Sequence, residues 1–141
     1  MTDSATPSVL FVCVKNAGKS QMAAGLMRQL AGDTVTVHSA GTKPGSAVNG
    51  LSAQALREVG VDLTDEQPKP LDYDLARHVD LVVTLGREVQ LDPLPDTRVE
   101  NWDTDEPSER GIDGLERMRL VRDDIAARVQ RLHDTINSST S

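Results

Sequence analysis

The stretch V-L-F-V-C-V-K-N-A-G-K-S, residues 9–20, joins an apolar, β-branched run to a glycine-containing loop. A continuous apolar run of this kind is typical of a strand that other elements cover on both faces. From Ser20 to Leu30 apolar residues recur at helical spacing, which predicts a helix directly after the loop. Strand, loop and helix in this order indicate the start of a βαβ unit, with a cysteine near the end of the strand.

Strand and helix signals continue to alternate along the rest of the chain. This alternation predicts an α/β fold, a three-layer sandwich with a central parallel sheet of about four strands flanked by helices. A single domain is expected at residues 8–136, after a disordered lead-in at 1–7 and before a frayed tail at 137–141. Further strands are predicted at 34–37, 80–85 and 98–102, and further helices at 52–59, 74–78 and 115–136.

Composition excludes several classes of function. The 141 residues suit one domain, and a net charge of −7 argues against bulk affinity for nucleic acid or anionic lipid. No apolar run approaches the ~20 residues that a membrane helix needs, and the polar N-terminus lacks the pattern of a signal peptide. We therefore expect a cytoplasmic protein that binds neither membranes nor nucleic acids.

A single cysteine, Cys13, limits the chemistry further. One cysteine can form no internal disulfide, and metal sites that need two cysteine ligands are excluded. The three histidines show no metal-ligand spacing, so no metal site is predicted. Because reduction by thiols takes two electrons, any such reaction here requires thiols from outside the chain.

The loop after Cys13 has the residue types of an oxyanion site. A tight turn here directs several backbone N–H groups toward one point, and the following helix adds partial positive charge. The same field favours a thiolate at Cys13, so a nucleophile and an anion-binding loop stand together. Lys19 offers a cationic donor, and Ser20 can hydrogen-bond the thiolate. The predicted oxyanion-binding residues are Val14, Lys15, Asn16, Ala17, Gly18, Lys19 and Ser20.

Two other interpretations of this segment compete with an oxyanion site. The ending A-G-K-S is similar to a nucleotide-binding P-loop, but that pattern requires glycine where Cys13 stands. It also needs a later strand that ends in a metal-binding aspartate, whereas Asp80 begins its apolar run. In the second interpretation Cys13 is a small buried hydrophobic residue, which is common for free cysteines. The position of Cys13 at a strand end, directly before the loop, favours the nucleophile.

These residues resemble the low molecular weight tyrosine phosphatase superfamily and, within it, the arsenate reductase branch. The superfamily loop is a cysteine, five residues, an arginine and a serine; here it is Cys13, five residues, Lys19 and Ser20. The resemblance covers essentially the whole chain and implies the fold of that superfamily. The other matching segments are Gln21-Met22-Ala23, His38–Thr42, Leu81–Leu85, the loop from Trp102 to Pro107, and Met118–Ile125.

Three departures from the superfamily pattern are informative. Lys19 replaces the loop arginine, so a bidentate clamp on the oxyanion becomes a single point charge. The phosphatase acid is an aspartate directly before proline; here Glu106 stands there, with Asp105 before it. Thioredoxin-coupled reductases carry two further cysteines, but Gly86 occupies the first of these positions and no second cysteine exists. An intramolecular disulfide relay is therefore impossible within these 141 residues.

This combination resembles the single-cysteine arsenate reductases of actinobacteria, the arsenate–mycothiol transferases. The resemblance implies that arsenate binds in the loop from Cys13 to Ser20 and forms an adduct with mycothiol, a co-substrate. Mycoredoxin then reduces the adduct and releases arsenite. It implies no metal or tightly bound cofactor, and a homodimer is expected from relatives. Two alternatives stay open: a phosphatase acting on phosphotyrosine, and an oxyanion-binding protein without catalysis.

The resemblance also implies roles for residues around the loop. Asn16 is expected to shape the loop, and Ser39 is expected to hydrogen-bond Asn16. Lys69 lies near the position of an aspartate that helps to hold potassium in other arsenate reductases. Its ammonium group either replaces that ion beside Cys13 or is an exposed charge in a proline-rich turn.

Two carboxylic acids compete for the role of proton donor. Asp105 and Glu106 can each protonate the oxygen that leaves arsenate, or both belong to a solvated acidic loop. The predicted catalytic residues are Cys13, Ser20, Lys69, Asp105 and Glu106.

Overall fold

A computed structural model describes residues 6–140 of the chain, in which strands and helices alternate as the sequence predicts. Short 3-10 turns occupy Gly32–Thr34 and Pro107–Arg110. The strands are β1 (Ser8–Cys13), β2 (Thr36–Gly41), β3 (Leu81–Leu85) and β4 (Arg98–Trp102), and the helices are α1 (Lys19–Ala31), α2 (Gly50–Arg57), α3 (Tyr73–His78) and α4 (Gly114–Thr140).

The strands form one parallel sheet in the order β2-β1-β3-β4. β1 pairs with β2 along its whole length, as far as Cys13↔Gly41, and with β3 from Val9↔Leu81 onward. The chain leaves β1 on one side to form β2 and passes to the other side to form β3. The carboxyl end of β1 is therefore a topological switch point, the place where open α/β sheets bind ligands. The predicted α/β sandwich with a four-stranded parallel sheet is confirmed, and Cys13 lies at the switch point.

Helices cover both faces of the sheet. On one face Phe11 lies beneath α1 and α4, whose Met22 and Ile125 are fully buried. On the other face Leu10 belongs to a second buried cluster with Ala76 of α3. Burial of a large apolar side chain contributes about 1.5–3 kcal/mol relative to exposure. Because β1 is apolar on both faces, it anchors both helical layers and fixes the position of the loop that follows it.

The second strand lies two residues later than predicted. The alternating T-V-T-V pattern suggested a strand at 34–37, but β2 runs from Thr36 to Gly41. Thr34 ends a 3-10 turn instead, and its hydroxyl donates to the carbonyl oxygen of Ala31 at 2.6 Å. Pairing with β1, rather than local alternation, sets the bounds of this strand, because the parallel register runs without a break to Gly41.

The C-terminal helix is longer than predicted. α4 continues to Thr140, four residues beyond the predicted helix end at 136, and the frayed tail at 137–141 stays a prediction. Within these last turns the hydroxyl of Thr135 donates to the carbonyl oxygen of Arg131 at 3.0 Å.

The start of the domain also differs from the prediction. Pro7 was assigned to the disordered lead-in, but its carbonyl oxygen accepts a hydrogen bond from the backbone N–H of Thr36 at 2.8 Å. Residues 1–5 of that segment, and residue 141, lie outside the described residues. Within residues 6–140, no helix combines the length and apolar character needed to cross a bilayer.

Candidate active site

The backbone of the loop between β1 and α1 is tied to the segment 42–49 through its carbonyl groups. In a trans peptide the N–H points away from the C=O. Because these carbonyl groups point outward to the segment 42–49, the N–H group of each following residue points toward the inside of the loop. This backbone arrangement is compatible with an anion-binding nest, whose binding residues stay a prediction. The four bonds join Thr42 N to Cys13 O (3.1 Å), Lys43 N to Val14 O (2.8 Å), Gly45 N to Lys15 O (2.9 Å) and Asn49 N to Ala17 O (2.7 Å).

Cys13 lies at the bottom of this loop and is 7% exposed. Its Sγ accepts a hydrogen bond from the backbone N–H of Asn16 at 3.1 Å, and the Oγ of Ser20 lies 2.9 Å away. Nδ2 of Asn16 donates to the same Oγ at 2.7 Å. Both donors stabilise negative charge on sulfur, which is what a nucleophilic thiolate requires.

Asn16 holds the loop in its bent conformation. Its φ of 53° lies in the left-handed region, which asparagine tolerates better than most residues with a side chain. Oδ1 of Asn16 accepts hydrogen bonds from the backbone N–H of Lys69 (2.8 Å) and from Nε2 of Gln21 (3.1 Å). With Nδ2 on Ser20, the fully buried Asn16 side chain links three segments of the chain. The structure thus agrees with the predicted loop-shaping role.

Gln21 is a site residue to which the sequence interpretation gave no role. The side chain is fully buried, and Nε2 lies within hydrogen-bond distance of the carbonyl oxygens of Asn16 (3.1 Å) and Gln67 (3.2 Å). An amide among the buried residues of α1 was the available signal, because a buried glutamine needs polar partners. Gln21 joins the nucleophile loop to the segment that carries Lys69.

The end of β2 leaves room for the loop only because residue 41 is glycine. A Cβ atom at Gly41 would lie 2.7 Å from the carbonyl oxygen of Val14 and 2.9 Å from the backbone nitrogen of Asn16. Gly41 also contacts the segment around Lys69, because its N–H donates to the carbonyl oxygen of Lys69 at 2.8 Å. Gly41 therefore packs the nucleophile loop and the segment around Lys69 against one another.

Lys19 and Glu106 form an ion pair at the mouth of the site. The two side chains are 17% and 25% exposed, so water screens the pair only partly. Cys13, Lys19 and Glu88 are among the residues that line a cavity of about 340 Å³. The structure thus brings the predicted nucleophile and the predicted cationic donor together, and adds Glu106 from the loop before α4.

Asp105, the other candidate acid, has different partners. Arg110 donates two hydrogen bonds to its carboxylate, at 2.8 and 3.1 Å, and this holds the pKa of Asp105 below its usual range. The backbone N–H of Asp105 donates to Asp124 at 2.8 Å. Of the two candidate proton donors, Glu106 contacts the nucleophile loop, whereas Asp105 is held ionised by its own arginine.

The remaining predicted residues divide between backbone and side-chain roles. The N–H of Lys69 contacts Asn16, but its ammonium group contacts the carbonyl oxygen of Gln67 (3.1 Å) and lies 3.5 Å from Glu66. Lys15 is exposed, whereas Val14, Ala17 and Gly18 are partly buried and contribute their backbone to the loop.

The expected hydrogen bond between Ser39 and Asn16 is wrong. Ser39 is buried, and its Oγ has no hydrogen-bond partner among the described residues. The reason lies in Asn16, whose amide oxygen is occupied by Lys69 and Gln21 and whose amide nitrogen is occupied by Ser20.

The chain is similar along most of its length to several known proteins. An arsenate reductase of Bacillus licheniformis is 32% identical over 136 residues, covering 91% of this chain and 96% of that protein. A thioredoxin-dependent arsenate reductase of Corynebacterium glutamicum superposes with a TM-score of 0.81 at 35% identity. That match covers 98% of this chain but 65% of the Corynebacterium chain, so the present chain spans about two thirds of its length.

Two further findings concern the family. An arsenate reductase solved in the phosphate-binding state superposes with a TM-score of 0.80 at 31% identity, over 92% of this chain and 98% of that one. The model of the family described as low molecular weight phosphotyrosine protein phosphatase matches residues 8–141. The chain therefore belongs to the low molecular weight phosphotyrosine protein phosphatase family.

Proposed function

We propose that the protein is an arsenate reductase that takes its reducing electrons from thiols supplied by other molecules. The observation that carries the proposal is a lone cysteine, Cys13, at the start of a loop whose carbonyl groups are bonded to the segment 42–49 and leave its other face to an anion. Proteins called arsenate reductase, 30–35% identical along most of the chain, support the choice of oxyanion.

The proposed reaction has two balanced steps. Hydrogen arsenate and a thiol give a thiolate–arsenic adduct and water: an As–S bond forms, and one oxygen leaves with two protons. A second thiol then attacks the sulfur of the adduct; a disulfide forms, and arsenic leaves as arsenite with two more electrons. The inward N–H groups and Lys19 hold the anion, and Ser20 supports the Cys13 thiolate. The two protons that leave with the oxygen come from hydrogen arsenate and from the thiol.

The finer proposal is that mycothiol forms the adduct and mycoredoxin reduces it, so that the protein acts as an arsenate–mycothiol transferase. Its support is the resemblance to single-cysteine enzymes and the absence of a second cysteine from the 141 residues. Thioredoxin dependence, which the similar Corynebacterium protein has, is the competing possibility for the electron donor.

A coupled assay tests both the arsenate reductase activity and its dependence on mycothiol and mycoredoxin. Arsenate-dependent NADPH oxidation is followed with mycothiol, mycoredoxin and mycothione reductase, and in parallel with thioredoxin and thioredoxin reductase. We expect turnover only in the mycothiol system and none for Cys13→Ser. Turnover with thioredoxin alone would overturn the mycothiol assignment but keep the arsenate reductase.

The same preparation separates the alternatives. No arsenate turnover with either system, together with hydrolysis of p-nitrophenyl phosphate, would indicate a phosphatase. Anion binding without either activity would indicate a non-catalytic oxyanion-binding protein. Because Lys19 lacks the two-pronged geometry of arginine, we expect p-nitrophenyl phosphate to be a poor substrate.

A further inference from the structure

Arg117, in the first turn of α4, is a cation beside the site for which the sequence analysis proposed no role. Its Nη2 lies 4.0 Å from Oε2 of Glu106, the carboxylate that pairs with Lys19. Its Nε is buried and has no hydrogen-bond partner among the described residues. Arg117 and Lys19 also line one cavity of about 210 Å³ beside the nucleophile loop, together with Gly18. One carboxylate thus lies between two cations.

The position of Arg117 is unfavourable for α4 alone. A cation in the first turn of a helix faces the partial positive charge of the helix N-terminus, which destabilises it. A buried N–H without an acceptor adds a further cost. Both costs would fall if a carboxylate moved onto the guanidinium, because an arginine can donate two parallel hydrogen bonds to one carboxylate.

The ion pair between Lys19 and Glu106 weakens the binding of an anion by the oxyanion loop. Lys19 is the cationic donor of the loop, and in this structure its charge is neutralised by Glu106. An incoming dianion meets a carboxylate on that lysine, and the two negative groups repel each other at short range. Strong binding of an oxyanion therefore requires Glu106 to move away from Lys19.

We propose that Arg117 takes over the carboxylate of Glu106 when an oxyanion enters the loop, which frees Lys19 to hold the anion. Arg117 is then a positioning residue that acts through Glu106, and it compensates in part for the arginine that the loop lacks. The transfer is short, since the second carboxylate oxygen already lies 4.0 Å from the guanidinium. The proposal rests on the oxyanion-binding part of the function proposed above and is independent of which thiol supplies electrons.

A double-mutant cycle with inorganic phosphate as the probe tests this relationship. The dissociation constant of phosphate is measured by calorimetry for the wild type, Arg117→Gln, Glu106→Gln and the double variant. We expect Arg117→Gln to weaken binding by about tenfold, the effect of ~1.4 kcal/mol. In the Glu106→Gln background the same change is expected to weaken binding less than about twofold, because no carboxylate remains to be moved.

The controls separate this role from a general loss of charge or of fold. Arg131→Gln removes one positive charge from the same helix, fourteen residues or about 21 Å further along it, and is expected to leave phosphate binding unchanged. The proposal would be overturned if Arg117→Gln weakened phosphate binding equally in both backgrounds, or did not weaken it in the wild-type background. It would also be overturned if the wild type did not bind phosphate. If phosphate bound and the double-mutant cycle gave the expected result, but no thiol supported arsenate turnover, only the proposed reductase function would be overturned.

Discussion

Nδ2 of Asn16 donates a hydrogen bond to Oγ of Ser20, and that oxygen lies 2.9 Å from the sulfur of Cys13. Since the amide nitrogen can only donate, Ser20 accepts on this side and its own proton is free to point at the sulfur. Asn16 thus selects the orientation of the hydroxyl group that stabilises a thiolate. The loop residue with the left-handed backbone therefore acts on the nucleophile twice, through its N–H and through Ser20.

Ser20→Ala is expected to slow the alkylation of Cys13 by iodoacetamide at pH 7 by about tenfold or more. The thiolate loses one charge-assisted hydrogen bond, worth ~1.5–3 kcal/mol. Ser39→Ala is the matched control, because Ser39 is also buried but its hydroxyl oxygen has no partner among the described residues. An equal rate for Ser20→Ala and the wild type would show that the hydroxyl does not stabilise the thiolate.

Gln21→Ala is expected to lower the free energy of unfolding by ~1–3 kcal/mol, because the buried oxygens of Asn16 lose a hydrogen-bond donor. Urea denaturation monitored by circular dichroism measures the change. The control is Gln29→Ala in the same helix, whose Nε2 donates to the carbonyl oxygen of Val59 in an exposed setting. If both variants lost the same small amount of unfolding free energy, Gln21 would not link the loop to the Lys69 segment as described.

Lys69→Met is expected to change the alkylation rate of Cys13 less than about twofold. The Lys69 side chain is 45% exposed, and its ammonium group contacts Gln67 and Glu66. The contact with Asn16 is made by the backbone N–H, which methionine keeps. A rate that falls tenfold would instead support the ammonium group as a replacement for a cation beside the nucleophile. The iodoacetamide assay used for Ser20 provides the measurement.

Glu58→Gln is expected to destabilise the protein at pH 7 but to have little effect near pH 2. Hydrogen bonds from Arg119 and Arg122 lower the pKa of Glu58 from 4.5 to about 2. Because the folded state favours the ionised group, its stabilising effect is present above pH 4.5 and is lost as the pH falls toward 2. Urea denaturation of both proteins between pH 7 and 2 measures the difference. Asp96→Asn, an exposed carboxylate outside any ion pair of the described residues, should show no such convergence.

The sequence was sufficient for the core of the site because that core is local. Cys13, Asn16, Lys19 and Ser20 lie within eight residues, and a buried strand followed by a helix fixes where such a loop stands. The parallel sheet followed from the alternation of strands and helices, whereas the order β2-β1-β3-β4 was not predicted. Within the site, the contact of Lys19 with Glu106 joins residues 87 positions apart, and the sequence offered Glu106 only as one of two acids.

The features that were missed depend on contacts between distant segments. Gln21 is one helix residue among several, and its role becomes visible only when Gln67 is placed beside it. The expectation for Ser39 came from resemblance and failed because Asn16 has no free hydrogen-bonding atom. Arg117 belongs to a helix whose arginines alternate with acids, so local pattern gave no reason to single it out.

The four outward carbonyl bonds of the nucleophile loop have a consequence for selectivity. Because these hydrogen bonds hold the loop in one conformation, anion binding does not have to order the loop first. The loop therefore accepts any tetrahedral dianion of similar size. Phosphate would then compete with arsenate at this loop, yet thiols do not reduce phosphorus. Discrimination between the two elements would come from the electron transfer after binding, and abundant phosphate would slow the enzyme without being consumed by it.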